Sequence, residues 1–343
     1  MWSVNTWLIV VNVAIFAVMA IFGRSMPAPV VTQAVPYDAK KYEIIPVYLR
    51  ANGDPVKPGE RLVVGEPYFR TLRERATNAI AIDKSTGGPV AAEIIIATDA
   101  ITAYGHFSTE MGFAKQQVWR LVTFQFLHGS ISHLFFNMFG LFAFGQSVED
   151  KLGGRKYLAF YLVCGIFGGL AYLMLNLAGI TAASFGFGSV PGLLIQDTHT
   201  TLVGASAGVF GVIMACARLY PSDEISVLFI PTPIKMRIAA YAYVAIAAVN
   251  LLVGGSNAGG DAAHIGGALA GFFFIVRSHL LTDFFDVFSD SRKAPKTPPA
   301  GPRPANPRVE AILEKVQREG SRSLSQTERD ELHAETERMQ RLG

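Results

Sequence analysis

The sequence predicts an all-α membrane protein built on a bundle of six transmembrane helices, and three observations support this. Half of the 343 residues are hydrophobic, only 17% are charged, and the mean hydropathy is +0.32. Soluble globular proteins carry about 25% charged residues, so this composition disfavours a soluble enzyme. Apolar stretches long enough to cross a bilayer recur along the chain, and Lys and Arg are concentrated in alternate loops between them.

Charge and cysteine content argue against several other classes of protein. The formal net charge of +3 is too small to indicate a nucleic-acid surface. The two cysteines, Cys164 and Cys216, lie inside apolar runs, which argues against a disulfide scaffold and a cysteine-based metal site. We therefore expect no nucleic-acid or nucleotide partner, no metal and no cofactor.

Six apolar segments are expected to cross the bilayer as helices. The first, 4–22, has no Lys or Arg before it, so a retained helix is favoured over the alternative of a secretory signal. The second is interrupted by two histidines and small polar residues at 128–133. The last five segments cover 121–148, 157–178, 202–219, 238–253 and 262–281.

Loop charges predict the orientation of these helices. The loops at 179–201 and 254–261 contain neither Lys nor Arg, whereas the loops on the other side contain both. The positive-inside rule then predicts cytoplasmic termini, with helices two, four and six entering from the outer face. The basic residues on the cytoplasmic side are Lys151, Arg155, Lys156, Arg218, Lys235, Arg237, Arg277, Arg292 and Lys293.

Three regions surround the predicted core at 119–281 and the first helix at 1–23. Residues 24–118 form a long outer connection, in which 42–49, 61–64 and 93–97 have the composition of strands, and Asn52-Gly53 is a turn signal. A small folded insert is predicted there, with a partly ordered loop as the alternative. Residues 282–308 are a proline-rich linker.

The C-terminal residues 309–343 predict a cytoplasmic helical hairpin. Val309, Ile312, Leu313 and Val316 recur at helical spacing, and the segment from Ser325 to Glu328 is a capping-box pattern that opens a second helix. The hairpin contains no motif that carries chemistry.

The fourth predicted helix opens with Gly204-Ala205-Ser206-Ala207-Gly208. Ser206 would lie four to five residues into this helix, about 7 Å deep at 1.5 Å per residue. A serine at that depth is a candidate nucleophile. The alternative is that Gly204, Ser206 and Gly208 serve only as small residues that let helices approach closely.

The sixth predicted helix carries His264 at nearly the same depth as Ser206, with Gly267 and Gly271 on one face. A neutral imidazole can accept the proton of a serine hydroxyl and so activate it. Asp261 is expected nearly a turn away toward solvent, so a Ser–His dyad fits better than a triad. Phe210, one turn after Ser206, could stack on the imidazole ring.

The second predicted helix supplies three further polar side chains, His128, His133 and Asn137. His133 and Asn137 are four residues apart and share one helix face, so both could donate hydrogen bonds to the oxyanion of an acyl-transfer intermediate. The alternative is that they bond each other or a neighbouring backbone. Arg120 is expected at the outer interface and Glu149 near the inner end.

These features together resemble the rhomboid family of intramembrane serine proteases, in particular its bacterial members, over about 115–281 and the first helix. One departure is Ala207, since glycine often follows the serine in that family. The matching motifs are Trp119-Arg120, His133-x-x-x-Asn137, Gly204-x-Ser206 and Ala263-His264-x-x-Gly267-x-x-x-Gly271.

The resemblance implies a role for each matching residue. Ser206 would be the nucleophile, His264 the general base, and His133 and Asn137 the oxyanion donors. Arg120 and Glu149 would stabilise the outer loop. The supporting residues of the pocket would be His128, Gly204, Phe210, Gly267 and Gly271.

The predicted function is therefore that of an intramembrane serine endopeptidase, which cuts transmembrane protein substrates near the outer face of the bilayer through an acyl-enzyme. A bacterial plasma membrane is preferred, because residues 1–3 lack an Arg-rich import leader. The main alternative is an inactive relative that binds transmembrane clients. A zinc protease motif and paired membrane aspartates are absent from the sequence, and a transporter is disfavoured because no internal repeat is found.

Overall fold

The computed structural model describes residues 2–23, 27–34, 37–57, 60–82, 89–194, 198–226, 232–285 and 307–342. The chain divides into two units, Met1–Phe284 and Phe285–Gly343, which are described separately. The first contains the helical bundle together with a small sheet, and the second contains two helices near the C-terminus.

Helix α1 (Val4–Phe22) has the bounds that the apolar run predicts. Its N-terminus is capped twice. The Ser3 hydroxyl accepts a hydrogen bond from the backbone N–H of Thr6. The Glu149 carboxylate accepts the N–H groups of Val4 and Asn5 at 2.8 and 2.7 Å. These are donors that a helix leaves unpaired in its first turn.

The insert after α1 contains four strands, so the protein is mainly helical rather than all-α. They are β1 (Pro27–Ala34), β2 (Tyr42–Ile44), β3 (Pro67–Glu74) and β4 (Ala91–Asp99), antiparallel in the order β1-β4-β3-β2. Tyr68, Ile95 and Ala97 form the buried centre of this sheet.

Only part of this sheet agrees with the strands predicted from sequence. β4 includes 93–97, and β2 keeps only the first three residues of 42–49. Residues 61–64 do not form a strand, because they lead into a turn where Val63 donates its N–H to the Tyr68 hydroxyl. β1 was not predicted because it contains two prolines, which are tolerated at a sheet edge.

The connection from the sheet to the bundle is helical but broken. Helix α2 (Ala100–Gly105) leads to a π-helical turn (Glu110–Ala114), helix α3 (Arg120–Thr123) and a 3-10 turn (Phe124–Phe126). After the break predicted near 128–133, the chain continues as α4 (Ile131–Gly140), a π-helical turn (Leu141–Gly145) and α5 (Gln146–Leu152). The Ser130 hydroxyl restarts the helix by accepting the His133 N–H at 3.2 Å.

The remaining bundle helices differ from their predicted bounds mainly at the ends. They are α6 (Gly154–Ser184), α7 (Ser206–Leu219), α8 (Met236–Val253) and α9 (Ala258–Val276), and a two-stranded ribbon of β5 (Glu224–Ile225) and β6 (Ile234–Lys235) precedes α8. α7 begins four residues later than predicted, and α9 both begins and ends earlier. A 3-10 turn (Ser278–Leu281) follows α9.

Four helices in the described part of the chain are long and apolar enough to cross a membrane, namely α1, α6, α8 and α9. α7 is apolar but has only 14 residues. The second predicted segment is divided among α3, α4 and α5 and the turns between them. The protein is thus a multi-pass membrane protein, while the count of six spanning helices stays a prediction.

Glycines bring α6, α7 and α9 into backbone contact. A Cβ atom at Gly267 would overlap the carbonyl oxygen of Ala207, and one at Gly271 would overlap that of Gly211. Gly168 of α6 faces the methyl group of Ala207. This arrangement accommodates the alanine after Ser206, because the facing residue has no side chain. Small residues allow such close approach where no hydrophobic driving force acts between helices.

In the second unit, α10 (Pro307–Glu319) and α11 (Gln326–Leu342) form the two C-terminal helices. The reciprocal bonds of the capping box are present, since Ser325 donates its N–H to Glu328 at 2.7 Å and its hydroxyl accepts the Glu328 N–H. Lys315 donates to the Glu328 carboxylate at 2.9 Å. Most of the linker predicted at 282–308 lies outside the described residues.

A Gly271→Ala substitution should loosen the contact between α7 and α9. The added methyl overlaps a backbone carbonyl, which cannot move like a side chain, so we expect a loss of about 1–3 kcal/mol in folding stability. Thermal unfolding in detergent measures it. Gly129→Ala is the matched control, because no atom lies within 4 Å of a Cβ built there. Equal unfolding temperatures for the two variants would contradict the contact.

Candidate active site

Ser206 is the first residue of α7, rather than four to five residues inside a helix as the sequence suggested. The preceding residues are extended: Leu202 pairs with Phe107 in both directions, and Gly204 donates its N–H to the Phe124 carbonyl at 2.9 Å. The depth of the serine therefore depends on this extended segment. Its hydroxyl also lies beside the unpaired N–H groups of a helix N-terminus.

Gly204 is required at this turn for two reasons. Its φ angle is +134°, a conformation that residues with a side chain rarely adopt. In addition, a Cβ atom there would lie 2.7 Å from ring atoms of His133. The glycine thus lets the chain turn into α7 while the His133 ring packs against it.

His264 lies in the second turn of α9, and its Nε2 is 2.8 Å from the Ser206 Oγ. The ring stacks on Phe210 with centroids 4.2 Å apart and planes 8° apart, and Phe210 stacks in turn on Tyr243 at 4.4 Å. The structure thus brings together the two residues predicted as a dyad, with the aromatic neighbour that was expected.

A cavity of about 710 Å³ opens beside the two side chains. His133 and Asn137 of α4 also line it. Asn137 is buried, and its Nδ2 has no hydrogen-bond partner among the described residues. An amide donor held without a partner beside a serine can bind an oxygen that becomes negative during reaction.

His128 lies behind His133 and does not line this cavity. The two rings are 5.1 Å apart, and His128 is buried with both ring nitrogens unpartnered within the described residues. Among the residues that the structure describes, no group of three or more His, Cys, Asp or Glu side chains could hold a metal ion. Gly267 and Gly271 also lie away from the cavity and act at the helix contact instead.

Arg120 holds the chain between α2 and α3 in place through buried hydrogen bonds. Its buried guanidinium donates to the carbonyls of His106 and Ala103 at 2.7 and 3.1 Å, and to Gln117 at 2.5 Å. Burial and the nearby guanidinium both lower the pKa of His106, which favours the neutral ring. Because Phe107 follows directly, Arg120 supports the strand-like pairing that precedes Ser206.

Glu149 acts at a different place from the one that the resemblance implied. Its hydrogen bonds go to the backbone N–H groups of Val4 and Asn5 at the N-terminus of α1, rather than to the outer loop. Asn5 completes the contact by donating to the Leu141 carbonyl and accepting from the Tyr157 hydroxyl. The carboxylate thus joins α1 to the bundle.

Asp261 was expected to face solvent, and that expectation is wrong. Its side chain is only 7% exposed, and its Oδ1 lies 3.5 Å from the His264 Nδ1. The signal was available in the sequence, because residues three apart on a helix are neighbours. The prediction fails because α9 begins at Ala258, which places Asp261 inside the first helical turn rather than before it.

Comparison with known proteins finds relatives for the part of the chain that contains this site. The model of the rhomboid domain matches residues 115–279. Rhomboid protease GluP of Bacillus subtilis is 30% identical over 179 residues, which are 51% of this chain and 29% of that protein. RHOMBOID-like protein 12, mitochondrial, of Arabidopsis thaliana is 30% identical over 158 residues, 46% of this chain and 45% of that protein.

The human presenilin-associated rhomboid-like protein, mitochondrial, is 26% identical over 157 residues, which are 46% of this chain and 37% of that protein. The chain thus spans less than half of the length of each of these three relatives. The matched region contains every side chain of the cavity described above, and residues 115–279 of this chain are a rhomboid domain.

Proposed function

We propose that this protein is an intramembrane serine endopeptidase that cuts transmembrane proteins. The observation that carries the proposal is the 2.8 Å contact between the His264 Nε2 and the Ser206 Oγ, formed by residues 58 positions apart. A serine hydroxyl is a weak nucleophile until a base accepts its proton. The buried, unpartnered amide of Asn137 in the same cavity supplies a donor for the oxyanion.

The reaction proceeds in two halves. Ser206 Oγ attacks the scissile carbonyl while its proton passes to His264 Nε2, and the oxyanion is held by Asn137, His133 and the free N–H groups at the start of α7. The C–N bond then breaks as His264 returns the proton to the leaving amine. Water, activated by the same imidazole, hydrolyses the acyl-enzyme and frees the serine.

The cavity lies, in this proposal, at the outer face of the membrane. Its walls include residues from 200–204 and 256–260, which belong to or adjoin the two loops without Lys or Arg. The positive-inside rule assigns those loops to the outer side and both termini to the cytoplasm. Because the matched relatives are bacterial and mitochondrial alike, a bacterial plasma membrane stays a prediction.

The dyad predicts a non-additive response to substitution. Ser206→Ala and His264→Ala should each abolish cleavage of a transmembrane substrate in proteoliposomes, and the double variant should be no worse, because the two groups act as one unit. Ser184→Ala and His279→Ala, both exposed, are the matched controls and should cleave normally. Substantial activity in either dyad variant would contradict the assignment of these two residues, whereas a wild type that binds substrate without cleaving it would favour the alternative of an inactive binder of transmembrane clients.

Asn137→Ala should lower the turnover rate without lowering the folding stability. Loss of one oxyanion donor lowers kcat by about 10²–10³-fold. Folding stability should not fall, because the substitution removes a buried donor that lacks a partner in the described structure. Kinetics and thermal unfolding measure the two effects, with exposed Asn250→Ala as the control. A fall in unfolding temperature large enough to explain the lost activity would instead assign Asn137 a structural role.

The site also predicts where a substrate is cut. A helical backbone in lipid has its carbonyls hydrogen-bonded, so the substrate must unwind near the outer face to reach Ser206. Gly204, Gly260 and Ala263 line the cavity beside the dyad and leave room for a small residue. Mass spectrometry should locate the cut after a small residue in or just outside the outer third of a single-pass helix. Cleavage at the bilayer centre or the cytoplasmic end would contradict the prediction.

A further inference from the structure

Asp261 has a buried carboxylate to which the Ser–His dyad mechanism assigns no role. It lies in the first turn of α9, and the residue is 5% exposed. A carboxylate is among the most expensive groups to bury without a partner, and such groups in membrane proteins are functional by default. The two contacts of its Oδ1 in the described structure are the amide of Asn257 at 3.4 Å and the His264 Nδ1 at 3.5 Å.

The contact with His264 is made on the ring nitrogen that faces away from the serine. Nε2 is 2.8 Å from the Ser206 Oγ, while Nδ1 is 3.5 Å from the Asp261 Oδ1. An imidazole that accepts the serine proton must have its lone pair on Nε2 and its proton on Nδ1. The carboxylate faces the nitrogen that has to carry this proton.

The stacking of Phe210 on His264 cannot determine which ring nitrogen of His264 carries the proton. Phe210 lies parallel to the His264 ring and fixes its tilt, but a flat hydrocarbon face does not distinguish one protonated nitrogen from the other. A carboxylate does distinguish them, because it accepts a hydrogen bond and offers none. It also stabilises the imidazolium that forms once the serine proton has moved.

We propose that Asp261 is a positioning residue that holds His264 in the tautomer able to accept the Ser206 proton. The inference rests on the proposed function and keeps Ser206 and His264 as the catalytic dyad, with Asp261 orienting the His264 ring and accepting no proton. The serine proton moves to Nε2 and then to the leaving amine, while the Nδ1 proton stays on the ring throughout. Asn257 steadies the carboxylate from the preceding turn.

Kinetics of Asp261→Asn and Asp261→Ala test this role, with Asp223→Asn as the matched control for removal of an exposed carboxylate. Full-length protein in proteoliposomes is used, and rates are divided by the number of sites titrated with excess fluorophosphonate. We expect kcat to fall about 10- to 100-fold with KM within twofold of the wild type. The loss stays below the roughly 10⁴-fold effect of a full triad carboxylate, because the contact is longer.

A second measurement reports the tautomer directly. Nitrogen-15 chemical shifts of labelled histidine distinguish a ring protonated at Nδ1 from one protonated at Nε2, and the spectrum of His264→Ala identifies the His264 signals. The wild type should show Nδ1–H, and the two Asp261 variants should show a mixture or the opposite tautomer. This readout does not depend on activity, and it is taken on variants whose unfolding temperature matches that of the wild type.

The outcomes separate the two proposals. If Ser206→Ala cleaves as well as the wild type, the proposed function fails, whatever Asp261 does. If Ser206→Ala is inactive while both Asp261 variants keep wild-type kcat and the Nδ1–H tautomer, only the positioning role is overturned. A change confined to KM or to unfolding temperature would also overturn it, since a merely structural carboxylate acts in that way.

Discussion

The close approach of α7 and α9 is the constraint on which the site depends. Gly267 and Gly271 have no side chain, so the carbonyls of Ala207 and Gly211 occupy the space that a methyl group would need. Ser206 begins one of these helices and His264 lies one turn above Gly267 on the other. The 2.8 Å separation of Oγ and Nε2 is therefore set by backbone contact rather than by flexible side chains.

The second support of the site comes from the chain between α2 and α3 and is made mainly of backbone hydrogen bonds. Arg120 binds the His106 carbonyl, Phe107 pairs with Leu202, and Phe124 accepts the Gly204 N–H. The chain reaches Ser206 through this pairing, so the loop between α2 and α3 and the serine segment are positioned together. The sheet continues into the same loop through α2, which links the insert to the wall of the site.

The sequence predicted the features that depend on composition and spacing, and it missed those that depend on neighbours. α1, the small-residue faces and the polar groups on three helices were readable from local pattern. The extended segment before Ser206 was not, since a short apolar run cannot be distinguished from the start of a helix. The partners of Glu149 and Asp261 were also missed, because they follow from where α1 and α9 begin.

The central claim is that His264 activates Ser206, and covalent labelling of the intact membrane protein tests it most directly. A fluorophosphonate probe is reacted with the wild type and with His264→Ala, and peptides are mapped by mass spectrometry. The account predicts a phosphonate adduct on Ser206 alone in the wild type and none above background in His264→Ala. An adduct on another serine, or equal labelling of Ser206 in both proteins, would contradict it.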